Sequence, residues 1–171
     1  MKYLRFGTSF CAVLAMLMPF SQTPAAQTAT LAPVLHAAEG WVNEPATAAG
    51  LAGKVVVVDV FTFGCINCKN VTPNLKALYR EDSNDVAIVG VHSPETPYEK
   101  DRANVVENLR TQGIVWPVAI DNGFAIWNAY GVDAWPTQLI FDRHGRLRKT
   151  VVGDSQDELV DSTIKALVAE R

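Results

Sequence analysis

The sequence predicts an α/β domain in which a central mixed sheet has helices on both faces. Residues 55–58 and 86–91 are continuous apolar runs, which is typical of strands that are covered on both faces. A helical segment separates the two runs, and this order implies parallel strands joined by a right-handed crossover. Residues 142–145 predict a hairpin turn between two later strands, which adds an antiparallel pair. The sheet is therefore expected to be mixed.

The other elements are predicted in chain order. Residues 41–43 precede Pro45 and fit an edge strand or an apolar anchor. The last segment, residues 155–170, has apolar residues on one face and should close one face of the sheet, with Ser155 or Asp154 as its cap. Between these ends we expect strand 55–61, a helix to about residue 79, strand 86–91, helix 98–112, strand 116–120, helix 124–130, strand 138–141 and strand 146–152.

Length and composition fit one domain plus a short extra segment. The chain has 171 residues, of which 49% are hydrophobic and 19% are charged, enough for a sizeable core. The formal net charge is -3 and no long block of like charge occurs. The charge balance therefore suggests neither nucleic-acid binding nor an acidic substrate.

The N-terminal residues have the layout of a secretory signal peptide. A basic start at residues 1–5 is followed by a mostly apolar stretch and then by small and polar residues up to about residue 29. The apolar stretch is shorter than the roughly 20 residues that a membrane-spanning helix needs. We therefore assign residues 1–26 to a cleaved signal peptide, 27–38 to a tether and 39–171 to the folded domain. A periplasmic or secreted location follows, with an uncleaved anchor facing the periplasm as the alternative.

The chemistry is predicted at Cys65-Ile66-Asn67-Cys68, where the first strand meets the first long helix. Unpaired N–H groups and the helix dipole favour a thiolate at this position, so Cys65 is the expected nucleophile. Cys68 lies one turn further on and can attack a mixed disulfide held on Cys65. Signal cleavage would leave only these two cysteines, in an oxidising compartment. Because such a small ring constrains the unfolded chain little, a redox role is favoured over a structural disulfide.

A metal ion or a haem group is a less favoured ligand for the Cys65–Cys68 motif. Zinc sites of this type commonly use two such pairs, but the chain has no second pair and its three histidines are scattered. Lys69 stands where a haem-attachment motif requires histidine. We therefore expect no metal and no cofactor.

Several features together resemble the thioredoxin fold. Asp59 stands six residues before Cys65, Lys69 follows the motif, Pro73 lies in the first helix, and residues 135–137 read Trp-Pro-Thr before a strand. The resemblance implies a thioredoxin fold with a helix-strand insertion before the second core helix, similar to the TlpA and ResA-like branch. Residues 61–68, 90–95 and 116–122 resemble the extracytoplasmic thioredoxin-like domain of DipZ proteins more closely, and the similarity covers about residues 39–165.

The resemblance assigns roles to two acids. Asp59 matches the aspartate that relays a proton for the buried second cysteine, and an acid inside an apolar strand should have a raised pKa. The alternative is a structural acid bonded to neighbouring groups. The lysine that thioredoxins carry near this aspartate is absent from residues 86–91. Glu95 matches a glutamate that ResA-like proteins place near their cysteines, and the alternative is a surface loop acid.

The resemblance also implies a substrate-binding segment at Trp135, Pro136 and Thr137. Pro136 matches a cis-proline that faces the dithiol and leaves the preceding backbone groups available to an extended substrate chain. The alternative is a trans-proline at the start of an edge strand.

The predicted function is thiol-disulfide exchange with protein disulfides or dithiols, in the reducing direction. Relatives of the TlpA, ResA and DipZ type imply a membrane electron carrier of the CcdA class as the partner, with cytochrome c maturation or repair of protein thiols as the downstream work. Two alternatives remain. Residues 62–65 meet half of a peroxiredoxin pattern, although its proline and arginine are missing. The pair could also be a structural disulfide in a binding module without enzymatic activity.

Overall fold

The computed structural model describes residues 29–81 and 83–170. The predicted signal peptide and the first two residues of the predicted tether lie outside the described residues. The helices are α1 Ala32–His36, α2 Ala48–Leu51, α3 Ile66–Glu81, α4 Arg102–Thr111, α5 Ala125–Ala129 and α6 Asp157–Ala169, with a 3-10 helix at Pro97–Lys100. The strands are β1 Gly40–Val42, β2 Val55–Phe61, β3 Val86–His92, β4 Val118–Ile120, β5 Thr137–Phe141 and β6 Leu147–Val152.

The described strands form one mixed sheet in the order β1-β4-β3-β2-β5-β6. Strand β2 lies inside the sheet, pairs parallel with β3 and antiparallel with β5, and has all seven residues buried. The predicted edge strand at β1 and the parallel crossover are both present. At the predicted hairpin, the amide of Gly145 donates to the carbonyl of Asp142 at 2.8 Å, and Gly145 has a φ of 71°, a value that glycine adopts without a steric penalty. The predicted mixed sheet is confirmed.

The two faces of β2 support separate apolar clusters. Val55, Val57 and Phe61 belong to the cluster that contains Cys68 and residues of α3 and α6. Val56, Val58 and Val60 belong to the opposite cluster, with residues of α1 and α5. Since side chains alternate along a strand, Asp59 lies on the same side of the sheet as α3 and Cys68. This alternation brings the acid to the dithiol.

Residues 29–38 differ from the predicted tether. They contain helix α1, whose Val34 side chain is fully buried in the second cluster. The amide of Leu147 donates to the carbonyl of Ala29 at 2.8 Å, and the Tyr130 hydroxyl donates to the carbonyl of Thr30 at 2.7 Å. Val34 is buried, and Leu31, Leu35, Ala37 and Ala38 are partly buried against the second cluster, so these residues pack on the fold ahead of the predicted boundary at residue 39.

Two predicted helices have different boundaries. The segment 98–112 is divided at Asp101, whose extended backbone ends the 3-10 helix and whose side chain caps α4 by accepting from the amide of Ala103 at 2.7 Å. The last helix begins at Asp157, with Gln156 at the N-cap and no side-chain cap bond. The predicted cap at Ser155 or Asp154 is therefore wrong, because Asp154 instead accepts from the side-chain amide of Asn70 at 2.7 Å.

Within residues 29–81 and 83–170, none of the helices combines the length and the apolar character that a bilayer crossing demands.

Candidate active site

The two cysteines lie at the start of α3 with very different exposure. Cys65 precedes the first helical residue, Ile66, and is half-buried, whereas Cys68 is only 3% exposed. The amide of Cys68 points at the sulfur of Cys65, with a donor-acceptor distance of 3.2 Å. Both thiols are unpaired. A substrate disulfide can therefore reach Cys65, whereas Cys68 is buried and not accessible to it.

The Cys68 thiol must lose its proton before its sulfur can act as a nucleophile. Burial, a hydrogen bond with Cys65 and the nearby charge of Asp59 raise the pKa of its thiol, against one backbone hydrogen bond from Thr62 that lowers it. The thiolate is the reactive form of cysteine. Resolution of a mixed disulfide therefore requires a group that takes the Cys68 proton.

Asp59 can take that proton. It is 4% exposed in the centre of β2, and burial raises the pKa of its carboxyl group to about 7. Its neighbours in register are Gly90 on β3 and Gln138 on β5. Among the described residues, neither the Oδ1 atom of Asp59 nor the Nε2 atom of Gln138 has a hydrogen-bond partner. A carboxyl group with a pKa near neutrality is suited to general acid-base work.

The Trp135–Pro136 peptide bond is cis, as predicted. The Trp135 indole donates to the carbonyl of Ser93 at 3.0 Å, and the Thr137 hydroxyl donates to the carbonyl of Ala134 at 2.7 Å. Trp135 and Cys65 pack against the same core cluster, which contains Cys68. Within the described part of the chain, the backbone N–H and C=O of Trp135 form no hydrogen bond. These groups remain available to an extended partner chain.

The acid that contacts the loop before Cys65 is Glu99. Sequence reasoning expected Glu95 either near the cysteines or on the surface of a loop, and the Glu95 side chain is exposed and makes no hydrogen bond with a described residue. Glu99 is 4% exposed, and its Oε1 atom accepts from the amide of Gly64 at 3.1 Å. A recognisable signal existed, because Thr96 and Glu99 form a capping box. Because the predicted helix began near residue 98, the capping box at Thr96 and Glu99 was not recognised in the sequence.

His92 is a second residue that sequence reasoning did not place in the site. It is fully buried at the end of β3, is stacked on Phe63 with ring centroids 5.4 Å apart, and its Nε2 atom lies 3.4 Å from the Thr62 hydroxyl. Burial lowers the pKa of His92 to about 4, although the charge of Glu99 opposes this. The imidazole is therefore neutral at neutral pH.

No group of three or more His, Cys, Asp or Glu side chains is arranged to hold a metal ion in the described ranges.

Comparison with known proteins decides the family. The Redoxin family model matches residues 25–168. The chain belongs to the Redoxin family. Among Redoxin relatives, the protein DipZ of Mycobacterium bovis is 33% identical over 143 residues, which is 80% of this chain and 20% of DipZ. The chain thus spans about a fifth of the length of the DipZ protein it matches.

Two other relatives match over nearly their whole length. The thiol-disulfide oxidoreductase YkuV of Bacillus subtilis is 24% identical over 139 residues, covering 81% of this chain and 94% of YkuV. The crystal structure of a thiol-disulfide isomerase from Corynebacterium glutamicum superposes with a TM-score of 0.70 at 29% identity, covering 78% of this chain and 94% of that one. The resemblance to thioredoxin-like proteins of the TlpA, ResA and DipZ type is confirmed.

Proposed function

We propose that this Redoxin reduces protein disulfides through Cys65 and Cys68. The observation that carries the proposal is the placement of an accessible sulfur at the start of α3, with a buried sulfur one turn later on the Asp59 side of the sheet. An accessible attacking thiol and a protected resolving thiol are what a two-step exchange requires. The assignments of Cys65, Cys68, Asp59 and the segment 135–137 are parts of this proposal.

The proposed reaction has two steps, formation of a mixed disulfide and its resolution. The Cys65 thiolate attacks a substrate disulfide, the substrate S–S bond breaks, and a mixed disulfide forms while one substrate sulfur leaves and takes up a proton. Asp59 then accepts the proton of Cys68, whose sulfur attacks Cys65. The enzyme disulfide forms, and the second substrate sulfur leaves as a thiol. Two electrons have passed from the enzyme dithiol to the substrate.

A protein substrate fits the surface beside Cys65. Ile66 is 67% exposed and Tyr98 is 64% exposed, with the Tyr98 ring packed edge-on against Phe63 at 6.0 Å between centroids. Large apolar side chains next to a reactive thiol favour contact with another polypeptide. The unpaired backbone groups of Trp135 supply a place for an extended segment of that polypeptide.

The location and the electron source belong to the same proposal. The signal-like residues 1–26 support export to the periplasm or beyond, where the spent disulfide must be reduced again by an outside donor. A membrane carrier of the CcdA class is the proposed donor, and cytochrome c maturation or thiol repair is the proposed use. Fractionation of cells that express the full chain, with mass determination of the exported form, tests the location and the cleavage.

The redox potential of the dithiol tests the direction. Equilibration with glutathione should give a value more negative than about -200 mV, in the range of reducing thioredoxin-like proteins, whereas a value near -120 mV would mark an oxidant. The wild type should also reduce insulin. Cys65→Ser should abolish this activity, and Cys68→Ser should accumulate the mixed disulfide.

The two alternative functions give different results in the same experiments. A structural disulfide would resist mild reduction and would show no fast-reacting thiol afterwards. A peroxidase would consume peroxide in the presence of dithiothreitol at a rate that depends on Cys65. Either result, with no insulin reduction, would contradict the proposal.

A further inference from the structure

The carboxylate of Glu99 joins two loops at the active site. Its Oε2 atom accepts from the amides of Glu95 and Thr96, both at 2.8 Å, which is local capping of the 3-10 helix. Its Oε1 atom accepts from the amide of Gly64 at 3.1 Å, 35 residues away in the chain. Capping needs only the first two bonds. The third bond connects Glu99 to the residue that precedes the nucleophile.

Position 64 is so close to the Glu99 carboxylate that a side chain there would overlap it. A Cβ atom built on Gly64 would lie 2.3 Å from the Oε1 atom of Glu99, far inside the closest approach of real Cβ atoms. The φ angle of Gly64 lies outside the left-handed range, so backbone conformation is not the reason for a glycine here. The glycine allows the close approach of the carboxylate.

Glu99 forms no salt bridge with a cation among the described residues. Burial raises the pKa of Glu99, but hydrogen bonds from the Thr96 and Glu95 amides and from the Thr62 and Thr96 hydroxyls outweigh burial, and the net pKa is lowered. The carboxylate is therefore ionised at neutral pH. No salt bridge in the described ranges includes it, and the nearby His92 is neutral. Among the described residues, the hydrogen bonds to this carboxylate come from backbone amides and hydroxyl groups.

A negative charge at this point competes with the Cys65 thiolate. The Glu99 carboxylate accepts from the amide of Gly64, two residues before α3 begins at Ile66, and a thiolate on Cys65 gains from the dipole and the unpaired amides of the same helix end. The Glu99 carboxylate already uses one amide next to that end. It therefore makes a second negative charge on Cys65 less favourable, and the dithiol state becomes less stable relative to the disulfide.

We propose that Glu99 is a positioning residue for disulfide exchange, which holds the loop before Cys65 through Gly64 and, by its charge, makes the dithiol a stronger reductant. This inference rests on the proposed function, because it assumes that the pair exchanges electrons. In this role, the charge of Glu99 shifts the equilibrium of the Cys65–Cys68 pair toward the disulfide and so favours reduction of the substrate.

The charge is tested with Glu99→Gln in the glutathione equilibrium. In that equilibrium the enzyme disulfide takes two electrons and two protons from two glutathione molecules, which become one glutathione disulfide. Glu99→Gln should shift the equilibrium toward the dithiol by about three- to tenfold, as expected for one charge at a helix end, or about 15–30 mV. Glu99→Asp keeps the charge and should stay nearer to the wild type. Glu158→Gln removes an exposed acid on α6 and is the matched control.

The contact with Gly64 is tested by a double-mutant cycle on stability. Gly64→Ala should lower the ratio of folded to unfolded protein by about tenfold or more in the wild type, because the added methyl group overlaps the carboxylate. In the Glu99→Ala background the same change should cost clearly less. Gly40→Ala is the control, since a Cβ at Gly40 would lie 3.5 Å from the flexible Arg102 side chain.

The outcomes separate this inference from the proposed function. Equal glutathione equilibria for the wild type and Glu99→Gln, or equal costs of Gly64→Ala in both backgrounds, overturn the role of Glu99. A wild-type potential in the oxidant range refutes the proposed direction, yet the difference between the wild type and Glu99→Gln is still measurable. If Glu99→Gln does not fold, the glutathione equilibrium of Glu99→Ala, a variant that the cycle already requires, tests the charge in its place, and the double-mutant cycle tests the contact with Gly64.

Discussion

Asp59 is the proposed proton acceptor for the second half of the exchange, because it is a buried acid on the Cys68 side of β2. Its carboxyl group has a pKa of about 7 as a result of burial, so near neutral pH it can either hold or accept a proton. Cys68 is buried and its thiol has a raised pKa. The first attack, by the half-buried Cys65, does not involve the proton of Cys68.

Asp59→Asn should therefore slow resolution and leave the first attack intact. We expect the mixed disulfide to resolve about 10- to 100-fold more slowly, in line with the loss of a general base. The rate at which Cys65 is alkylated should change by less than twofold. Stopped-flow measurement of both steps, with Glu158→Gln as the control, checks this. Equal slowing of both steps would indicate a general disturbance of the site and would contradict a role in proton transfer.

At the scale of elements, helix α1 is part of the fold. Its Val34 side chain shares an apolar cluster with the sheet face formed by Val56, Val58 and Val60, and the helix contacts α5. The hydrogen bonds of Ala29 and Thr30 continue this attachment along the chain. A tether would make no such contacts and would contribute nothing to stability.

Val34→Ala distinguishes a packed helix from a tether. Removal of two methyl groups from a fully buried site should lower the free energy of unfolding by about 1–3 kcal/mol, because the surroundings cannot fill the cavity. Insulin reduction should be unchanged at a temperature at which both proteins are folded. Urea unfolding monitored by circular dichroism measures the loss. The same truncation at Val152, which is 49% exposed, should cost much less, and equal effects would argue against the packing of α1.

At the scale of the whole molecule, two buried groups give opposite pH dependences of stability. The pKa of Asp59 is about 7 in the native state against an ordinary value of 3.8. The native protein holds a proton that the unfolded chain has lost, so stability falls as the pH rises from about 4 to 7. The pKa of His92 is about 4 against an ordinary value of 6.5. The unfolded chain binds the extra proton, so stability falls as the pH decreases from about 6.5 to 4.

Single variants should separate these two slopes. Asp59→Asn should gain stability over the wild type as the pH rises from 4 to 7, by up to about 4 kcal/mol. His92→Gln loses packing at every pH, but its deficit should shrink by up to about 3 kcal/mol as the pH falls from 6.5 to 4. Urea unfolding at four pH values across this window measures both differences. A difference that does not vary with pH would mean that the group does not titrate in this range.

Local patterns in the sequence determined most of the architecture. Unbroken apolar runs identified β2 and β3 as central strands, because a strand covered on both faces has no polar alternation. The hairpin at residues 142–145 was recognisable from its turn residues. The spacing of Cys65 and Cys68, together with Asp59 in an apolar strand, predicted the centre of the candidate site, because Asp59 lies on β2, Cys68 on α3 and Cys65 in the turn between them.

Only the tertiary structure decided which acid contacts the loop before Cys65 and where the domain begins. The bond between Glu99 and Gly64 spans 35 residues and depends on how two loops meet at the ends of β2 and β3, a distance that periodicity does not encode. The burial of Val34 likewise depends on a face of the sheet that is far away in the chain. A sequence pattern shows which side chains of a segment are apolar and can be buried. Which distant residues cover those side chains is decided only when the strands pair and the elements pack.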